Sequence, residues 1–159
     1  MRGCRWLLLI LVFVSGCFYS FEDRAKNVSI KNISIESPFE NRTDRFELPD
    51  MLEEALRSKL VGSHAFTLTS KESAEGTVSL KVTGFKREAY TYTREEEVKE
   101  YIVHIDCEVT FFDLTKGEEI WTKKITGFGV FEANAVEDEA VREAVEMLVN
   151  RIFDSMLSG

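Results

Sequence analysis

Three groups of residues in this chain have the types and spacing to do chemistry. His104, Asp106 and Glu108 alternate along one apolar stretch. In a strand that puts an imidazole and two carboxylates on one face. Such a set can serve as a general base or a metal site. It holds one histidine, no cysteine and no metal-ligand spacing, so a solvated strand face is the favoured reading. Gly127-Phe128-Gly129 is part of a glycine fingerprint, but it lies inside a β-type run rather than at a strand-to-helix turn, which argues against a nucleotide. The third group is basic: Lys86 and Arg87 on one long β-type run, and Arg94 near its end. If the strands pair as a meander, Lys86, Arg87 and Arg94 become candidate contacts for a phosphate-bearing ligand. The competing reading is that they balance Glu88 and the Glu95-Glu96-Glu97 run. Ser63, Ser70 and Ser73 sit in no nucleophile-elbow context, and His64 follows a helix. The sequence therefore predicts no enzyme, no metal and no cofactor.

The clearest chemistry is at the N-terminus. Arg2 and Arg5 precede nine unbroken apolar residues, Trp6 to Val14, and then Ser15, Gly16 and Cys17. A charged start, a short apolar core and small residues make a signal-peptide pattern. The run is too short for a membrane span, which needs about 20 apolar residues. Val14-Ser15-Gly16-Cys17 resembles the bacterial lipobox. That resemblance implies cleavage of residues 1–16 and a lipid attached at Cys17, with membrane attachment through N-terminal acyl chains. Phe18 in place of an aspartate favours the outer membrane. Residues 17–27 read as the lipidated tether and residues 28–159 as a single domain.

The elements behind these residues are strands framed by two helices. Of 159 residues 44% are hydrophobic, with two prolines, enough to bury one core. The formal charge is −8, and loss of residues 1–16 leaves 18 basic against 28 acidic side chains, −10. This balance excludes a nucleic-acid binder, which needs clustered Lys and Arg. Cys107 becomes the only cysteine besides Cys17, and it reads as a core residue. Ile33 and Ile35 alternate in a first strand. Leu48, Leu52, Leu56 and Leu60 recur at helical spacing behind Pro49, with Gly62 placed as a stop. Gly76 to Thr93 reads as a long strand with a bulge at Gly84. Tyr101, Val103, Ile105, Cys107, Val109 and Phe111 alternate with polar residues, and Gly117 turns the chain into a strand carrying Trp121. A long amphipathic helix from Val136 to Met156 closes the chain. The order β-α-β-β-β-α predicts an α+β fold with two helices on one face of a mainly antiparallel four-stranded sheet, and a polar second face.

Gly16-Cys17-Phe18-Tyr19-Ser20-Phe21, Ile33-Ser34-Ile35, Pro38-Phe39-Glu40-Asn41-Arg42-Thr43, Asp113 to Gly117, Ile120-Trp121 and Gly127-Phe128-Gly129 stand in an order that resembles the LptE family. Phe18 stands where that family usually has glycine, and Ala74-Glu75-Gly76 matches only loosely. The resemblance covers nearly all of residues 16–157. It implies an outer-membrane lipoprotein that plugs and helps assemble an LptD-type β-barrel and assists lipopolysaccharide transport. It carries no ligand residue across. The alternative is a different periplasmic module that regulates a cell-wall synthase or a secretion pore, since such lipoproteins use similar units with a comparable Pro-Phe-x-Asn loop.

Overall fold

The structure, a computed structural model, describes residues 30–159. The signal peptide, Cys17 and the tether lie outside the described residues. Strand β1 (Asn32–Ile35) leads through β2 (Glu40–Asn41) to helix α1 (Leu48–Ser63). Strand β3 (Thr67–Leu68) and a single 3-10 turn at Lys71–Ser73 follow. Three long strands come next: β4 (Gly76–Tyr92), β5 (Val98–Asp113) and β6 (Glu118–Glu132). Helix α2 (Glu137–Ser158) ends the chain.

The expected four-stranded sheet is corrected here: the sheet has six strands and is mixed. Its order is β3-β1-β4-β5-β6, with β2 also on β4. β1 runs parallel to both β3 and β4, and β2 runs parallel to β4. Only the β4-β5-β6 meander is antiparallel. The two extra strands have two residues each, too short to show alternation. Helix α1 crosses over between β1 and β3, which is what a parallel pairing requires. The two-helix layer is as expected.

The helices form because their apolar residues make one stripe each. Leu48, Leu52, Leu56 and Leu60 of α1 are all fully buried. On α2 the stripe runs through Ala140, Ala144, Leu148 and Ile152 to Met156. These faces meet Val78, Leu80, Val82, Val103, Ile105, Val109 and Phe111 from the sheet. Gly62 does not end α1. The helix continues through Ser63, and His64 takes the left-handed conformation at φ 56°.

α2 lies almost on the backbone of β6. A Cβ at Gly127 would sit 2.0 Å from the Ala144 carbonyl oxygen, and one at Gly129 would sit 2.1 Å from that of Ala140. The two glycines are thus seats for the helix, which explains the Gly-Phe-Gly spacing without any ligand. Cys107 lies in this core, where burial, aided by the charge of Asp106, pushes its thiol up to about 12. It is present as an inert thiol.

Candidate functional site

The open face of the sheet changes character along its length. Near the foot of the long strands it is polar. Thr110 and Thr122 share a hydrogen bond of 2.8 Å across β5 and β6. Thr126 donates to the Asp106 carboxylate at 2.5 Å. Glu40 accepts from Arg42 at 2.9 Å and pairs with Lys81 at 3.2 Å. These two partners, Arg42 first, lower the Glu40 pKa. Further along the register brings His104 beside Phe128 and Ile102 beside Val130. The ring of His104 is tilted against Phe128 at 6.4 Å. The second face is therefore polar over only part of its length, because in the far half Ile102, Phe128 and Val130 stand among Lys86, Glu88 and His104.

On the helix side, a charged cluster joins that far half to the helix layer. The Asn41 side chain accepts from the Thr43 amide and hydroxyl and donates to the Arg45 carbonyl. This Asx turn sets the direction of Arg45. Arg45 reaches the Glu137 carboxylate at the first turn of α2, and Arg87 reaches the same group at 3.2 Å. The Arg45 guanidinium lies 4.4 Å over Phe85, and that of Arg87 lies 5.3 Å over Tyr101. Tyr101 stacks on Phe131 at 5.6 Å. One carboxylate thus holds two guanidiniums, each above an aromatic ring, one of which stacks on a third. Arg45 Nε is buried without a hydrogen-bond partner, with Glu47 at 3.6 Å.

The sequence-predicted cations are separated by this arrangement. Lys86 and Arg87 are consecutive in β4 and point to opposite faces. Lys86 pairs with Glu88, and this hydrogen bond lowers the Glu88 pKa. Arg87 belongs to the helix-side cluster. Arg94 is in the β4–β5 turn, where the Glu95 and Glu97 amides donate to the Thr93 hydroxyl. The fold does not bring the three into one cluster, and Cys17 lies outside the described residues. Sequence reading missed Arg45 and Glu137 because they are 92 residues apart. The available signal was the Asn41-Arg42-Thr43 turn, whose partner could not be read.

The outer edge of β6 is partly capped by side chains of α2. Arg151 donates to the Thr126 carbonyl at 2.5 Å and lies over Phe128 at 5.6 Å. The Val130 amide donates to the Glu143 carboxylate at 3.3 Å. Among the described residues no three His, Cys, Asp or Glu side chains gather as a metal site, and no helix is long and apolar enough to cross a membrane.

Residues 30–156 match the profile of the family described as LptE: Lipopolysaccharide-assembly. No curated protein matches this chain. Solved structures with the same fold include rare lipoprotein B from Shewanella oneidensis, with 17% identity, TM-score 0.51, and 80% of this chain and 95% of that one covered. The hypothetical protein CT253 from Chlamydia trachomatis has 14% identity, TM-score 0.56, and 80% and 93% coverage. A minor lipoprotein from Acinetobacter baumannii has 14% identity, TM-score 0.51, and 80% and 92% coverage. At these identities the likeness establishes the fold.

Proposed function

Because the chain belongs to the LptE family of lipopolysaccharide-assembly proteins, we propose that it acts as the plug and assembly partner of an LptD-type β-barrel. Membership makes it a non-enzymatic outer-membrane lipoprotein of lipopolysaccharide assembly. The barrel partner and direct lipopolysaccharide contact are the finer parts of the proposal. The observation that carries it is the family match, which spans nearly the whole described domain. The surface is compatible with it: a barrel lumen is polar, and the open sheet face near the foot carries paired Glu40, Arg42 and Lys81 and a run of threonines.

Cys17 is the proposed acylation site. More than one acyl chain there provides the stable anchoring that a single chain does not. Lys86, Arg87 and Arg94 are the proposed phosphate contacts. Since Lys86 and Arg87 already pair with Glu88 and Glu137, a phosphate must compete with a carboxylate at each, and Arg94 is the more available cation. The domain's acidity makes local cations necessary for meeting an anionic lipid.

Affinity purification from detergent-solubilised outer membranes tests the partner. An LptD-type barrel in the eluate is expected, and its absence, or a peptidoglycan synthase in its place, overturns the reading. Cys17→Ala is expected to abolish labelling by radioactive palmitate. Neutralising Lys86, Arg87 and Arg94 together is expected to weaken lipopolysaccharide binding and flatten its salt dependence. Unchanged affinity removes these residues from the site.

A further inference from the structure

β4 is paired on both sides for only half its length. β1 covers Gly76 to Val78, and β2 covers Lys81 and Val82. The chain then leaves the sheet for α1. From Gly84 to Tyr92 no described strand lies on that side. Which groups face the gap follows from the ladder. The Val78 and Val82 carbonyls accept from Glu36 and Arg42 on this side. The extra residue at the Val82/Gly84 bulge shifts the alternation. Beyond it, Phe85, Arg87 and Ala89 turn their N–H and C=O outward, while Lys86 and Glu88 bond to β5. No described residue bonds to the outward amides. An edge of this kind is a template for another strand, and proteins ordinarily cover it.

The surroundings say what would cover it. The described domain has six large, strongly exposed hydrophobic side chains. Tyr90 and Tyr92 are on this segment of β4. Phe46, 85% exposed, is in the loop that follows β2, next to Arg45, whose guanidinium lies over Phe85 of the segment. Val136 adjoins Glu137, which holds Arg87. The two cations of the segment, Lys86 and Arg87, are already neutralised within the chain. The gap is thus bordered by aromatic surface and carries no unpaired charge. The matching occupant is an extended, uncharged, apolar-rich peptide held by main-chain bonds, as in β-strand addition.

We propose that the free edge of β4, at Phe85, Arg87 and Ala89, receives an extended strand from the barrel partner, with Phe46, Tyr90 and Tyr92 packing against it. The identity of that partner rests on the function proposed above. The site itself rests on the open ladder.

Amide hydrogen exchange on the full lipoprotein, alone and in the complex purified with its barrel, tests this. In the free protein the Phe85, Arg87 and Ala89 amides are expected to exchange fast, and Lys86 and Glu88 slowly. In the complex the three outward amides are expected to slow about ten-fold or more. Ala89→Pro deletes one outward donor without touching the β5 ladder. It is expected to lower barrel recovery while the circular dichroism spectrum stays unchanged. A barrel recovered with all three amides still fast overturns the inference alone. No barrel in the eluate overturns the parent reading and this partner together. Protection in the free protein that grows with concentration, with doubled mass, assigns the edge to a second copy and overturns the partner. Protection in the free monomer that is lost on deleting residues 18–29 assigns the edge to the chain's own tether and also overturns it.

Discussion

The sheet meets its surroundings differently at its two long edges. On β6 the outward groups of Thr126 and Val130 are bonded by Arg151 and Glu143, side chains of a helix seated directly above. On β4, beyond Val82, the outward groups of Phe85, Arg87 and Ala89 have no described partner, and exposed aromatics flank them. One edge is partly capped by the chain itself, at the Thr126 carbonyl and the Val130 amide. The other has the composition of a contact still to be made. The helix layer produces the difference: α2 lies over β6 and β5, and α1 begins only after the chain has left β4 at Asn41.

The largest effect should come from displacing the helix that closes β6. A side chain at Gly127 meets the Ala144 carbonyl at 2.0 Å, and backbone cannot yield as a flexible side chain can. Gly127→Val is expected to cost about 3 kcal/mol or more, read as a lowered denaturation midpoint in urea. It should also accelerate exchange at Val130, because α2 carries Glu143. A variant of native stability would mean that α2 does not rest on this strand.

A smaller effect belongs to Asp113, at the foot of the hairpin that supports both edges. Its carboxylate accepts from the Thr115 hydroxyl and amide and the Lys116 amide, and is nearly fully buried. These bonds, the Thr115 hydroxyl first, hold its pKa down to about 2 from 3.8. A depressed carboxyl stabilises the fold above its unfolded pKa and loses that contribution as pH falls through the folded one. Stability should therefore fall between about pH 4 and pH 2 through this group. Asp113→Asn should remove that part of the acid limb, measured by urea melts across the range.

Glu137 comes next. Replacing it with glutamine takes the shared carboxylate away from Arg45 and Arg87 and leaves only Glu47, 3.6 Å from Arg45, beside the pair. The cluster is only partly buried, so solvent moderates the cost to about 1 kcal/mol. The variant should loosen the join between β4 and α2, so exchange at the Lys86 and Glu88 amides, which bond to β5, should rise while the foot of the hairpin stays protected. Uniform exchange changes across the domain would break the distinction between the two regions.

The contrast between the edges was partly legible in the sequence. Alternation from Tyr101 to Phe111 gave β5 and its buried face, and the leucine stripe gave α1, because one residue in two or in four repeats over many positions. Gly84 signalled its bulge, and Gly117 its turn, at φ 70°. β2 and β3 were not legible as strands, since two residues cannot display a period. Their parallel pairing also depends on where α1 returns the chain. Lys86 and Arg87 were legible as cations but not as separated ones. Their carboxylate partners are two residues away for one and fifty for the other. Gly127 and Gly129 were visible as glycines in a strand, but only the helix above them gives the reason.

The smallest effect tests whether the two side-chain caps keep β6 from pairing. Both groups are solvent-exposed, and each bonds one backbone group. Arg151→Ala frees the Thr126 carbonyl and uncovers the Phe128 ring; Glu143→Ala frees the Val130 amide. Each is expected to cost about 0.5–1 kcal/mol. Because water can satisfy an exposed carbonyl, the stability change alone says little. What distinguishes a finished edge from an unfinished one is its tendency to pair. The Arg151→Ala, Glu143→Ala double variant should turn β6 into a second open edge and promote self-association at high concentration, seen as added mass in sedimentation. If the double variant stays monomeric, side-chain caps are not what keeps β6 from pairing, and the open ladder of β4 loses its force as a sign of a missing partner.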